Sequence, residues 1–307
     1  MKSKRDFTKL LDITREECEY LLERSTFLKM QKKQGKEYKP LKDKSLAMIF
    51  EKSSTRTRAS FEIGMWELGG YAMFLSSGES QIGRGEPVKD TARVLSRYVD
   101  AIMIRTYGQA LVEELAQWAT VPLVNGLSDT YHPCQILADL FTIREFKGNL
   151  GDLKIAYIGD GNNVANSWLE ACILLDLSFS IATPEQYAAK GSLLEKAKEN
   201  SRFVATHDPL EAVRDADVIY TDVWVSMGQE AEKEERTLSF ASYRIDDALL
   251  KEAKKGAIVM HCLPAHRNKE ISDGVFESQQ EVIFSQAENR LHTQKALLEW
   301  LIKGSEG

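Results

Sequence analysis

Short apolar runs recur along this chain, each separated from the next by a polar or amphipathic stretch. Runs this brief suit strands buried on both faces, and their alternation with helical segments restricts the fold to parallel sheets covered by helices. In the first half the pattern predicts strands over 46–50, 71–75, 101–105 and 121–124. Amphipathic helices are expected over 88–98 and 111–120, and a longer one from 133 to about 146. The polar segment Lys147-Gly-Asn-Leu-Gly-Asp152 then marks a domain junction. Strands resume over 154–158, 179–182, 218–221 and 257–261, and a helix over 287–303 ends the pattern. The expected architecture is α/β, with two parallel-sheet αβα domains joined by interdomain helices and an active site in the cleft between them. The domains are expected over 1–147 and 148–286, with the C-terminal helix, 287–307, packing back on the first.

A chain of 307 residues with 43% hydrophobic and 28% charged residues has the balance of a soluble globular protein able to bury a large core. Its net charge of −6 argues against nucleic acid or an anionic membrane surface as partner. No stretch approaches the roughly 20 apolar residues of a membrane span, and the basic N-terminus leads into no apolar signal core. The four cysteines, Cys18, Cys134, Cys172 and Cys262, are scattered without C-x-x-C spacing, which points to reduced thiols, a cytoplasmic setting and no structural zinc.

In α/β domains ligands bind beyond the carboxyl ends of the strands, and the unusual residues of this chain gather there. Ser53-Ser54-Thr55-Arg56-Thr57-Arg58 follows the first strand and opens a helical pattern over 59–68. The N–H groups of a helix start attract anions, whereas arginine is unfavourable at that positive end. Two arginines in the first turn therefore point to an anion that neutralises them; the alternative is a serine cap beside two solvated arginines. Arg105 closes the third strand, where partial burial of its charge demands an anionic or carbonyl partner. In Tyr131-His132-Pro133-Cys134-Gln135, Pro133 suits the first helical position, which holds His132 at the helix mouth and turns Gln135 toward the same space. Such an imidazole can donate to a carbonyl oxygen or simply cap the loop.

Gly159-Asp-Gly161-Asn-Asn163 half-matches a dinucleotide fingerprint, but Val164 replaces the third glycine. Asn162 and Asn163 can instead hold a carboxylate, although Glu185 keeps the nucleotide alternative open. Asp222-Val-Trp-Val-Ser226-Met227-Gly228 places an acid at a strand exit, suited to an ammonium group, with Ser226 and the Met227 N–H completing an amino-acid site. The alternative is an aspartate cap and a core methionine. The charged run from Gly228 to Arg236 reads as a mobile loop. His261-Cys262-Leu263-Pro264 sets a cysteine at a strand end, its backbone expected to run extended into the proline. Cys262 is either a thiol near substrate or a small buried hydrophobe. His261 and His266 form no convincing metal pair, and Arg290 is expected to start the last helix.

Ser54-Thr-Arg-Thr-Arg58, His132-Pro-Cys-Gln135, Asp222-Val-Trp-Val-Ser-Met-Gly228 and His261-Cys-Leu-Pro264 together resemble the ornithine carbamoyltransferases of the aspartate/ornithine carbamoyltransferase family. The likeness spans essentially the whole chain in the right order. The first two motifs are common to carbamoyltransferases, whereas the last two separate the ornithine enzymes from the aspartate enzymes. The resemblance implies carbamoyl phosphate binding by the first domain and ornithine binding by the second. It implies that Ser54, Thr55, Arg56 and Thr57 hold carbamoyl phosphate, helped by Arg105, His132, Gln135, Arg290 and the Cys262-Leu263 segment. Gln81 or its loop would come from the adjacent subunit of a homotrimer with shared active sites. Ornithine would lie at Asn163, Asp222, Ser226 and Met227, with Arg105, His132, Asp222 and Cys262 as the catalytic set. The implied reaction belongs to arginine biosynthesis and yields citrulline and phosphate without metal or organic cofactor. Aspartate, putrescine and N-acetylornithine are rival acceptors, and a catalytically silent scaffold is the rival from another class.

Overall fold

The structure is a computed structural model and describes residues 4–76, 85–225 and 230–304. Gln81, Ser226, Met227 and Gly228 lie outside the described residues. Two compact units divide the chain. One runs to Phe141 and resumes at Asn289, and the other is Thr142–Glu288.

In the first unit β1 (Ser45–Phe50), β2 (Tyr71–Ser76), β3 (Ala101–Arg105) and β4 (Leu123–Leu127) form a parallel sheet in the order β2-β1-β3-β4. The helices are α1 (Arg15–Lys33), α2 (Thr55–Glu67), α3 (Val88–Leu95), α4 (Gln109–Trp118) and the start of α5 (Pro133–Lys147). β1 and β3 are almost wholly buried, the environment that a continuous apolar run requires. β4 starts two residues later than the apolar pattern suggests, because Pro122 has no N–H to give the ladder; its carbonyl still accepts from Ile102 N at 2.9 Å. α1 opens on a capping box in which Thr14 and Glu17 satisfy each other's backbone N–H groups.

The second unit contains β5 (Lys154–Ile158), α6 (Asn163–Leu175), β6 (Ser178–Ala182), α7 (Ser192–Ala197), β7 (Phe203–Thr206), α8 (Pro209–Val213) and β8 (Val218–Thr221). α9 (Lys233–Ser239), α10 (Asp247–Lys251), β9 (Ile258–His261), α11 (Asp273–Ser278) and α12 (Gln280–Lys303) follow. Its five parallel strands take the order β7-β6-β5-β8-β9. β7 is a strand that the apolar pattern does not announce. It is a half-exposed edge strand with too few buried residues to stand out.

The charged run after Gly228 is not loop throughout, because α9 takes in Lys233 to Arg236 and Arg236 is buried. The last helix begins at Gln280, so Arg290 lies well inside it rather than at its start. Among the described residues no helix is long and apolar enough to cross a membrane.

Strand order decides where each unit can take a ligand. In the first sheet the chain moves from β1 outward to β2, then returns to β3 on the other side. In the second it moves from β5 outward to β6 and β7, then returns to β8. Crossover connections leave in opposite directions at these points and open a crevice beyond the strand ends. The exits of β1 and β3 carry Ser54–Thr57 and Arg105, and those of β5 and β8 carry Gly159–Asn163 and Asp222.

Candidate active-site residues

At the first crevice Ser54 caps α2, its Oγ accepting from Thr57 N at 3.2 Å. Thr55 and Arg56 are exposed at the helix mouth, and Thr57 is buried. The two arginines of this turn differ. Arg58 donates to Glu62 one turn along at 2.9 Å and stacks over Phe74, so an internal carboxylate neutralises it. Arg56 has no carboxylate partner among the described residues. The expectation that an anion neutralises both thus narrows to Arg56.

Two further guanidinium groups meet behind this turn. Arg105 Nη1 and Arg290 Nη2 approach Thr57 Oγ1 at 3.5 and 3.4 Å, and all three residues are buried. Like charges converging in a buried place favour an anion between or beside them. His132 is also buried, and α5 starts at Pro133 as the sequence suggests. Burial, then the Arg290 and Arg105 charges, hold the imidazole well below its usual pKa, so it is neutral at pH 7. A neutral ring beside a buried cationic pair can donate to a carbonyl oxygen without adding a further charge. Gln135 joins the same group, its Oε1 accepting from Arg290 Nη1 at 2.7 Å.

At the second crevice Asn162 caps α6, its Oδ1 accepting from Val164 N and Ala165 N. Its Nδ2 donates to Asp222 Oδ2 at 2.9 Å, which commits one of the two amide hydrogens to this acid. Asn163, the next residue, is half-buried at the helix mouth. The other carboxylate oxygen, Asp222 Oδ1, accepts from Cys262 Sγ at 3.0 Å and from Val223 N at 2.8 Å. Cys262 therefore faces a carboxylate and is only half-buried, which removes the reading of it as a buried hydrophobe.

The chain beyond Cys262 is not extended. Leu263 adopts φ +59°, a left-handed conformation costly for a branched residue, and the Leu263–Pro264 bond is cis. His261 holds this bend, its Nδ1 accepting from Leu263 N at 2.9 Å while Nε2 faces Glu270 Oε1 at 3.1 Å. Since Nδ1 accepts, the proton sits on Nε2 and is donated to Glu270. Ligand atoms of Asp222, His261 and Cys262 lie within 4.8 Å of one another. Within this trio Cys262 donates to Asp222, while both ring nitrogens of His261 are engaged elsewhere, with Leu263 N and Glu270.

Three supporting residues escape a reading by motif. Arg236 pairs with Asp160, donates from Nε to the Trp224 carbonyl at 2.6 Å and lies over the Tyr187 ring. It thereby ties α9 to the β5 exit and to the chain that leaves Asp222. Asp160 is pushed up to about 7 by burial, against the lowering effect of Arg236. Asp139 accepts from Gln135 Nε2 at 2.8 Å. A lone acid within Ile136-Leu-Ala-Asp139-Leu-Phe141 was the available signal for that last contact.

Residues 5–145 match the aspartate/ornithine carbamoyltransferase carbamoyl-P binding domain, and residues 151–301 match the Asp/Orn binding domain of the same family. The chain belongs to the aspartate/ornithine carbamoyltransferase family. Ornithine carbamoyltransferase of Syntrophus aciditrophicus is 54% identical over 301 residues, covering 97% of this chain and 100% of that one. The enzyme of that name from Anoxybacillus flavithermus is 54% identical over 299 residues, with 96% and 95% covered. Among solved structures, the ornithine carbamoyltransferase of Pyrococcus furiosus superposes with a TM-score of 0.94 at 50% identity, covering 99% of each chain. The two-domain α/β fold is that of this carbamoyltransferase family. Arg290 falls within the stretch matched to the Asp/Orn domain, yet it groups with the first unit and bonds Gln135 there.

Proposed function

We propose that the protein transfers the carbamoyl group of carbamoyl phosphate to the δ-amine of L-ornithine, giving L-citrulline and phosphate. The observation that carries this reading is the convergence of Arg105 and Arg290 on Thr57 at the mouth of α2, in a chain more than half identical to ornithine carbamoyltransferases along nearly its whole length. Ser54, Thr55, Arg56 and Thr57 take the phosphate, with Arg105 and Arg290 as the buried cations. Neutral His132 donates to the carbonyl oxygen, and Gln135 contacts the carbamoyl NH2.

On the second unit Asp222 orients ornithine through its ammonium group, Asn163 contacts its α-substituents, and Cys262 and Leu263 flank the reacting amine. Ser226 and Met227 complete the ornithine set, and Gln81 the phosphate set.

The reaction places its demands on these groups in order. An alkylamine with a pKa of about 10.4 is neutral in only about one molecule in 10³ at pH 7. The site must therefore select or generate the neutral amine, and Asp222 with Cys262 provides the carboxylate and thiol beside it. The amine nitrogen forms its bond to the carbonyl carbon, the bond from that carbon to the phosphate oxygen breaks, and the nitrogen loses a proton. Negative charge grows on the carbonyl oxygen and the departing phosphate, where fixed donors act most strongly.

The same reading includes a homotrimer working in the cytoplasm as a step of arginine biosynthesis. In support of the trimer, β2 forms an edge of its sheet, and Tyr71 at its start and Trp66 on α2 are 67% and 71% exposed. Such a surface gains from cover by another chain. Four free cysteines suit a reducing compartment.

The test is product formation from carbamoyl phosphate with L-ornithine, aspartate, putrescine and N-acetylornithine in parallel. Turnover with ornithine alone is expected. Turnover with another amine instead would keep the phosphate half and overturn the ornithine half, and no turnover with any would overturn both.

A further inference from the structure

We infer that Asp139 is a positioning residue that selects the donor substrate, turning the Gln135 amide so that its carbonyl oxygen, not its NH2, meets the carbamoyl group. The inference rests on the reading that the first unit takes carbamoyl phosphate, and it names how that site tells a carbamoyl group from a near isostere.

Gln135 and Asp139 lie one turn apart on α5, the spacing at which side chains meet. They are 1% and 0% exposed. Gln135 Nε2 donates to Asp139 Oδ1 at 2.8 Å, and Gln135 Oε1 accepts from Arg290 Nη1 at 2.7 Å. A guanidinium only donates, and a carboxylate only accepts. The two neighbours therefore impose the same orientation from opposite ends of the amide. The reversed amide would set NH2 against Arg290 and the carbonyl against Asp139, losing both bonds at once.

An amide oxygen has two lone pairs, and Arg290 takes one. The other is an acceptor held beside the buried cations of the phosphate site. A carbamoyl group offers NH2 to it, whereas the acetyl group of acetyl phosphate has the same shape but ends in CH3. A buried acceptor left against a methyl group is unsatisfied, which is how a site built for hydrogen bonding rejects an analogue that cannot make the bond. On this account Asp139 never touches substrate.

The test compares carbamoyl phosphate with acetyl phosphate by calorimetric binding to the intact protein, together with steady-state kinetics. In Asp139→Asn, an isosteric change, the new amide can present either end to Gln135, so the hold from that side is lost and Arg290 alone orients the Gln135 amide. The preference for carbamoyl phosphate should fall about tenfold while the KM for ornithine stays within about twofold. Gln135→Met should lose the same preference, and adding Asp139→Asn to it should change the preference no further, since the aspartate acts only through the amide.

A wild-type preference in Asp139→Asn, or additive losses in the double variant, would overturn the inference, because a merely structural aspartate behaves that way. Should Asp139→Asn fail to fold, a wild-type preference in Gln135→Met overturns it equally. Unmodified protein that binds carbamoyl phosphate and acetyl phosphate alike sinks this inference alone. Protein that binds neither sinks the reading on which it rests.

Discussion

Replacing His132 by leucine separates the part this residue plays in chemistry from the part its titration plays in stability. The ring is buried, and its pKa is held well below the usual value by that burial and by the Arg290 and Arg105 charges. On the proposed reading it is a neutral donor to the carbonyl oxygen, and loss of one such donor costs roughly 10²–10³ in kcat, or about 2.7–4 kcal/mol. Because the native ring stays neutral while the unfolded ring protonates near pH 6.5, the unfolded state binds more protons below that pH. Stability from this group is thus intact above pH 6.5 and drains away as the pH falls below that value.

Leucine cannot titrate, so the variant should lack this part of the acid sensitivity. It is read as the difference in thermal midpoint between wild type and variant at pH 6.5 and 5.0, the wild type losing more on acidification. His292, with a pKa pushed down to about 3 chiefly by burial, is common to both proteins and cancels. The assays are citrulline formation at saturating substrates and calorimetric melting at pH 6.5 and 5.0. Turnover within about fivefold of wild type would refute the donor role. An unchanged dependence of the melting midpoint on pH would refute the depressed titration.

Other consequences follow from the same geometry. Arg105→Met removes one of the two guanidinium groups at Thr57 and should weaken inorganic phosphate about 10- to 100-fold by calorimetry; unchanged affinity removes Arg105 from the phosphate site. Asp222→Asn should raise the KM for ornithine by about tenfold or more with the carbamoyl phosphate KM little changed. Cys262→Ala leaves the Asn162 bond to Asp222 in place and should depress kcat instead, so full turnover at every pH would end its assignment as a catalytic group. His261→Asn places an oxygen where Nδ1 accepts from Leu263, whereas His261→Gln places its polar atoms near Nε2. The asparagine variant should retain about tenfold more activity than the glutamine variant, and equal losses would show that the Leu263 bend does not matter.

What could be read from the sequence follows from where the stabilising contacts lie. The central strands were legible because burial on both faces leaves an unbroken apolar run, as in Ala101–Ile104 and Val218–Tyr220. β7 was not, because an edge strand with exposed Val204 and Ala205 looks like a loop. The strand-exit residues were legible as types: an arginine ending β3, a histidine before a helix-starting proline, an acid leaving β8. Their partners were partly local. Glu62 sits one turn from Arg58 and Asp139 one turn from Gln135, within reach of helix spacing alone. Arg236 was hidden in a charged run, since its burial depends on Asp160 and Tyr187, far away in the chain. The bend at Leu263 was misjudged because a residue before proline is ordinarily extended, and only the buried His261–Glu270 pair shows what holds it otherwise.

The most direct measurement follows the transferred carbon. Carbamoyl phosphate labelled with ¹³C at the carbonyl is mixed with excess enzyme and L-ornithine, and a single turnover is read by NMR alongside released phosphate. The account predicts that the label moves into the ureido carbon of citrulline, one for each phosphate released. Phosphate released while the label passes to water or to another amine would contradict it.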